Sequence, residues 1–325
     1  MNVTISVVTA LFNKRPYVAE TVRSIQAQSI DNWELIIVDD GSTDGGVETV
    51  REFRDPRIRL VRSEGRGPGA ARNRGIRRAT GEWIQFLDAD DLLEADHIER
   101  QLAAASRHGD ADVVACEWQE FRDGEPNRRI TKKPTGLGAS LDKLRDSAIA
   151  FAPWAVHAAI VRRSVFSEQF LWPEELDRLL AEDIAFWFKL IRNHRVAYGS
   201  SSGALYRRMT QNCRTDLTPK KWFRGVHAAV SLNVRYLRND GSRPSAGQCE
   251  SLMRLYSGIH QLAAKGNAME IQKQSLAEAR HWLAEYFKNN GTPRRTVALR
   301  RILGLRLFLA LSRCLHARQT GEVIP

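Results

Sequence analysis

The sequence predicts an α/β protein built on a mostly parallel sheet flanked by helices, followed by a C-terminal α-helical region. Three observations predict it. β-branched apolar runs alternate with helix-length segments over residues 3–87, the pattern of βαβ units around a buried sheet. Two of those runs end in acidic, turn-rich loops, and polar loops at the carboxyl ends of strands are where open α/β sheets take ligands. From residue 219 onward no strand pattern remains.

Each element follows from its residues. Residues 3–9, Val-Thr-Ile-Ser-Val-Val-Thr, read as a buried first strand. A loop with Asn13 and Pro16 follows, and Val18, Val22 and Ile25 fall on one face of a helix over 17–29. Residues 34–38 form the second strand, which stops at Asp39-Asp40-Gly41-Ser42-Thr43-Asp44. A helix to about Phe53, a strand at 58–61 and the glycine-rich Gly65–Gly69 lead into a helix ending near Ala79. Gly81 opens strand 82–87, which ends at Asp88-Ala89-Asp90-Asp91, with a helix expected to begin near Leu92–Ala95. Further on, 112–116, 117–122 and 203–209 read as strands, and 140–148 and 182–192 as helices. Residues 219–238, 246–264, 268–288 and 294–316 read as helices separated by Gly, Asn, Pro and Ser punctuation.

Composition bounds the class. At 325 residues the chain suits about two domains at roughly 150 residues each, and 43% hydrophobic with 27% charged residues is globular rather than disordered. The four cysteines, Cys116, Cys213, Cys249 and Cys314, form no CxxC pair. That excludes a disulfide scaffold and a zinc cluster, and fits a reducing, cytoplasmic compartment. The N-terminus lacks a basic n-region, and no stretch approaches the roughly 20 apolar residues of a membrane span. Residues 1–215 hold 31 Lys+Arg and 31 Asp+Glu, whereas 216–325 hold 18 and 7, so the whole net charge of +11 belongs to the last third. The expected organisation is therefore a nucleotide-type α/β domain over 1–215 and a basic helical region over 216–325.

Four constellations carry chemistry. Asp88, Asp90 and Asp91 crowd one strand end, where a hard divalent cation would relieve their repulsion; Asp90 or Asp91 could equally cap the next helix. Asp39 and Asp40 end the second strand, where an acid can bind a ribose or base, or where Ser42 and Thr43 simply start a helix. Gly65–Asn73 offers a helix N-terminus to an anion or is a plain loop; it is not a dinucleotide fingerprint, because the first turn, Ala10-Leu11-Phe12-Asn13, has no glycine. Glu182-Asp183 opens a helix whose dipole is expected to lower their pKa values, leaving a weak base or merely a dipole-complementing pair.

Taken in order, Ile5–Asn13, Ile36–Asp44, Gly69–Asn73, Gly81–Ile84, Leu87–Asp91 and Glu182-Asp183 resemble the family 2 inverting glycosyltransferases. The resemblance covers roughly residues 3–215. It implies a GT-A-type, Rossmann-like fold, a nucleotide-diphosphate-sugar donor with UDP-sugar foremost, and Mn²⁺ or Mg²⁺. It also implies roles. Asp40 contacts the nucleoside base with Asp39 beside it, while Ala10, Phe12 and Asn13 line the base pocket. Asp88 and Asp90 form the DXD motif for metal and diphosphate, with Asp90 the direct ligand. Asp183 is the catalytic base, Arg72 lies near the nucleotide, and Arg207, within Tyr206-Arg207-Arg208 before Gln211-Asn212, belongs to the segment that closes over the diphosphate. Ala10 stands where the family often has a hydroxyl or Pro, and Phe12 where Tyr is common; both remove a hydrogen bond to the nucleotide.

The expected function is transfer of a sugar to an acceptor hydroxyl with inversion, on a glycan or lipid-linked acceptor in envelope or surface polysaccharide assembly. A nucleotidyltransferase would need an early phosphate-gripping loop, and the first loop offers only Lys14 and Arg15. The non-enzyme alternative is a nucleotide-sugar-binding protein without turnover. Arg294, Arg295, Arg300, Arg301, Arg306, Arg313 and Arg318 lie among leucines. They describe either a packing helix with a solvated basic face or an interfacial helix contacting the cytoplasmic membrane face. No nucleic-acid motif accompanies the charge, so nucleic acid is not an expected partner.

Overall fold

The computed structural model describes residues 4–135, 137, 140–199, 203–210, 218–289, 297 and 304. The chain divides into two compact units, Met1–Leu144 with Ala152–Asp216, and Arg145–Phe151 with Leu217–Pro325.

The first unit runs β1 (Ile5–Leu11), α1 (Arg15–Gln26), β2 (Trp33–Asp39), α2 (Gly46–Arg51), β3 (Ile58–Arg62), α3 (Pro68–Ile76), β4 (Trp83–Phe86), β5 (Leu92–Leu93), α4 (His97–Arg107), β6 (Val113–Ala115), β7 (Trp118–Arg122), β8 (Arg129–Lys132), the start of α5 (Leu141–Ala148), β9 (Ala159–Arg162), α6 (Glu182–Asn193), β10 (Val196–Tyr198) and β11 (Ala204–Arg208). Seven strands form the main sheet in the order β10-β6-β9-β4-β1-β2-β3. It is parallel except for β9, which lies antiparallel between β4 and β6. The centre is dry: Ile5, Val7, Leu35, Ile36, Ile37 and Ile84 are fully buried, as sheets covered on both faces require. The parallel registers stop β1, β2 and β4 at nearly one level, so their carboxyl-end loops share one edge.

Several expectations need correction. No helix begins at Leu92–Ala95, and neither Asp90 nor Asp91 caps one. Leu92-Leu93 pairs with β11, and α4 starts at His97. The first helix starts two residues earlier than expected, because Pro16 sits in its first turn, where a missing N–H costs nothing. A second sheet, β5-β11-β7-β8, was not foreseen; β5 is two residues long and β8 is polar and exposed. Trp154, Trp172 and Trp187 are core residues, each at most 2% exposed. Cys116 and Cys249 are free, buried thiols.

In the second unit α7 (Pro219–Asn239), α8 (Ala246–Lys265) and α9 (Met269–Lys288) follow one another. Thr218 caps α7, and a Ser245–Gln248 capping box starts α8. The unit also takes in 145–151, from the sequence segment expected in the first domain. Asp146 accepts a hydrogen bond from Ser245 Oγ at 2.6 Å, and Asn233 donates to the Ile149 carbonyl at 3.1 Å. The helix expected over 294–316 and the Gln211-Asn212 segment lie outside the described residues. Among the described residues no helix is long and apolar enough to cross a membrane.

Candidate active site

The acidic loop after β4 is held from several sides before any ligand arrives. Thr21 Oγ1 on α1 donates to the carbonyls of Ala89 and Asp91, both at 3.0 Å. From β11, Arg207 donates its backbone N–H to Asp91 Oδ1 at 2.7 Å and its Nε–H to the Asp90 carbonyl at 2.9 Å. Asp91 is therefore an anchor. Burial, then the charges of Asp90 and Asp88, push its pKa well above the carboxylate range. Its Oδ2 lies 3.2 Å from Nδ1 of His157, whose own pKa burial pushes down to about 4. Both directions favour a neutral pair.

This leaves Asp88 and Asp90 with side chains on the edge. Asp88 Oδ1 accepts from Arg72 at 2.6 Å and remains one-third exposed. Asp90 Oδ2 accepts from Thr210 Oγ1 at 2.8 Å and sits 2.6 Å from Lys14 Nζ. Lys14 and Thr210, which the sequence reading gave no role in the site, thus bear directly on it.

Arg207, expected in the segment that closes over a diphosphate, is engaged by its own neighbours. Its guanidinium contacts Glu20 at 2.5 Å and Asp123 at 3.1 Å, lies near the rings of Tyr17 and Phe121, and is almost fully buried. Its place in the structure is to hold the β4 loop.

At the end of β2, Asp39 Oδ1 accepts from Ser42 N at 2.9 Å, which fixes the turn. Asp40 Oδ2 accepts from Gly67 N at 2.8 Å, while Asp40 Oδ1 is buried with no hydrogen-bond partner. A buried acceptor left this way costs about 1–3 kcal/mol unless a ligand donates to it. Asn13, in the left-handed region at φ 51, accepts from Thr43 N at 2.9 Å and so ties the first loop to this turn. Ala10 is half-buried on β1, and Phe12 is 56% exposed.

The glycine-rich loop has a use the sequence did not suggest. Asp177 Oδ1 and Oδ2 accept from Gly69 N at 2.7 Å and Ala70 N at 2.8 Å. The N-terminus of α3 is thus filled by a carboxylate of the same chain. A Cβ on Gly67 or Gly69 would come within 2.4 or 2.5 Å of Asp177, which explains both glycines.

Arg72, on α3, gathers the other residues. Its guanidinium lies 4.3 Å over the Trp172 ring, which stacks at 3.8 Å on Phe186 of α6. It bonds Asp88 and lies 3.5 Å from Glu182. Burial opposes its charge, but Asp88 and Glu182 outweigh that and keep it protonated. Asn73 fixes the other side of the stack, accepting from Trp172 N at 2.8 Å and donating to its carbonyl at 2.9 Å. Ala181, at φ 73, turns the chain into α6 in a conformation costly for a residue with a Cβ.

Asp183 follows, with Oδ1 accepting from Ile184 N at 2.9 Å. The expected fall in its pKa is overturned. Burial, then the Glu182 charge, push Asp183 up to about 6, against the weaker opposing pull of the Ile184 N–H and Arg72. A base poised there is better matched to neutral pH than an ordinary carboxylate.

Comparison with known proteins fits this geometry. A family model described as Glycosyl transferase family 2 matches residues 6–170. TuaG of Bacillus subtilis (strain 168), named as a glycosyltransferase of teichuronic acid biosynthesis, is 31% identical over 221 residues, 67% of this chain and 82% of its own length. The next curated relatives are longer, and the chain spans less than half of each. Among solved structures, S. aureus TarS 1-349 in complex with UDP-GlcNAc is similar in fold, with a TM-score of 0.66 at 18% identity, covering 99% of this chain and 93% of that one. The mannosyltransferase PcManGT from Pyrobaculum calidifontis, in complex with GDP-Man and Mn²⁺, has a TM-score of 0.52 at 20% identity over 94% of this chain and 80% of its own.

Proposed function

The chain belongs to glycosyl transferase family 2, and from that premise we propose that it is a metal-dependent inverting enzyme that moves a sugar from a UDP-sugar to an acceptor hydroxyl in envelope polysaccharide assembly. One observation carries this reading: Arg72 bonds Asp88 of the candidate metal loop and lies 3.5 Å from Glu182, the neighbour of the candidate base Asp183, on whose carboxyl its charge also acts. The names of similar proteins support the finer points, with teichuronic acid biosynthesis for TuaG, UDP-GlcNAc bound to TarS and Mn²⁺ bound to PcManGT.

Asp40 is the base contact. Its unpartnered Oδ1 calls for a hydrogen-bond donor, which the imide N–H of uracil supplies. Asp39, Asn13, Ala10 and Phe12 shape that pocket. Among the described residues no group of three His, Cys, Asp or Glu side chains could hold a metal ion by itself. The hard oxygens of Asp88 and Asp90 nevertheless fit Mg²⁺ or Mn²⁺, which are commonly held by one or two carboxylates together with substrate phosphates. When bound, the cation supplies positive charge against the departing diphosphate. Arg72 steadies Asp88 and holds the start of α6. Asp183 takes the acceptor hydroxyl's proton as the oxygen bonds to the anomeric carbon and the bond to the diphosphate breaks on the opposite face. Inversion follows from that single displacement.

The test pairs donor binding with transfer. Thermal shift across UDP-, GDP-, dTDP- and CDP-sugars, with and without Mn²⁺, should single out a UDP-sugar with metal. Asp183→Asn should keep that shift and lose transfer by about 10²–10⁴-fold. Unchanged turnover would remove Asp183 from the role of base, and a metal-independent shift would remove the metal.

A further inference from the structure

Lys14 stands between the first loop and the acidic loop. Its ammonium lies 2.6 Å from Asp90 Oδ2, with 14% of the lysine side chain and 16% of the aspartate exposed. Thr210 Oγ1 closes the triangle, accepting from Lys14 Nζ at 3.1 Å and donating to Asp90 Oδ2 at 2.8 Å. The lysine backbone is fixed, because its carbonyl accepts from Tyr17 N and Val18 N at the head of α1. Only the side chain needs to swing for Asp90 to be released.

We propose that Lys14 is the resident counter-ion of Asp90, and that a divalent cation reaches this carboxylate by displacing it. The inference rests on Asp90 being the metal ligand. A divalent cation on this mostly buried carboxylate would sit close to the ammonium, and their repulsion is little screened there. Lys14 therefore lowers the affinity of the donor-free protein for metal. Once a nucleotide diphosphate brings further negative charge, the displaced ammonium has an anion to face, and metal and donor are bound more favourably together than metal alone. Lys14 is in this sense a positioning residue that couples metal loading to donor loading.

The experiment is Mn²⁺ titration of the whole chain without donor, followed by the electron paramagnetic resonance signal of free Mn²⁺, near neutral pH. Lys14→Met and Lys14→Gln should bind Mn²⁺ at least about fivefold more tightly than the wild type, since fivefold is already the upper end for an exposed ion pair and this one is mostly buried. Adding UDP should tighten Mn²⁺ binding less in the variants than in the wild type. Circular dichroism checks folding, and the Gln variant serves if Met at this site does not fold. A Kd within twofold of the wild type, a weaker one, or no donor-free binding by either variant overturns the proposal. Asp90→Asn separates the two ideas. If it leaves Mn²⁺ binding intact, Asp90 is not the ligand; if it weakens binding while the Lys14 variants match the wild type, the lysine alone has been misassigned.

Discussion

At Asp183 one carboxyl group is pulled in two directions, and the balance sets a measurable pH. Burial and the Glu182 charge raise its pKa to about 6, while the Ile184 N–H and Arg72 pull it down. A base must be deprotonated to act, so kcat/KM should fall below about pH 6 with unit slope on a logarithmic plot. Glu182→Gln removes one of the two raising influences and leaves Arg72 to act on Asp183, so the acid limb should move to lower pH. A limb that stays in place would mean another group titrates. The place of Asp183 at the head of α6 was legible in the sequence, because Glu182-Asp183 opens a helix pattern. Its raised pKa was not, since that depends on burial, which residue order does not display.

Among the elements, α3 shows how a correct pattern can hide a different cause. The glycines at 67 and 69 suggested an anion at the helix N-terminus, and an anion is there, but it is Asp177 from about a hundred residues away. No local signal ties those positions together. Asp177→Ala should cost about 1–2 kcal/mol in urea unfolding, as loss of a helix cap does. Gly69→Ala should cost at least as much, because its Cβ would press on the same carboxylate. If both variants unfold like the wild type, the cap is not stabilising the helix. The strands β1 to β4 were readable because each is rich in β-branched or aromatic residues and is closed by a turn. The four-residue β9 and three-residue β10 are too short for periodicity to separate them from loops, and only pairing with longer neighbours makes them strands. Arg207 was expected at the diphosphate because Tyr206-Arg207-Arg208 resembles the family's late basic segment; in space its guanidinium meets Glu20 and Asp123.

For the molecule as a whole, the buried histidines of the first unit should weaken the fold in acid. His97 is fully buried and is pushed down to about 3 by burial first, and then by His157 and Arg100. His157 is pushed down to about 4 by burial. Both folded values lie below the unfolded value near 6.5, so the unfolded chain takes up protons first as pH falls. The stability owed to keeping these histidines neutral is full above about pH 6.5 and is lost on descent toward pH 4 and 3. The raised pKa of Asp91 acts oppositely, favouring the folded state at low pH at a cost near neutrality. Asp177 and Asp183, whose pKa values are also raised, act in the same direction as Asp91, so the histidines are read by difference: denaturant midpoints of His97→Gln should fall less than those of the wild type between pH 6.5 and 4. Parallel midpoint profiles for the wild type and His97→Gln across this range would show that His97 takes up its proton as readily in the folded chain as in the unfolded one.

The occupied head of α3 also bears on inhibitor chemistry. A phosphonate designed to dock against that helix would meet two N–H groups already engaged and the negative charge of Asp177 behind them. A neutral heterocycle carrying one N–H toward Asp40 Oδ1 would instead complete an oxygen that the folded chain leaves unmatched. Selectivity in a scaffold of this kind is better sought at the heterocycle than at the phosphate mimic.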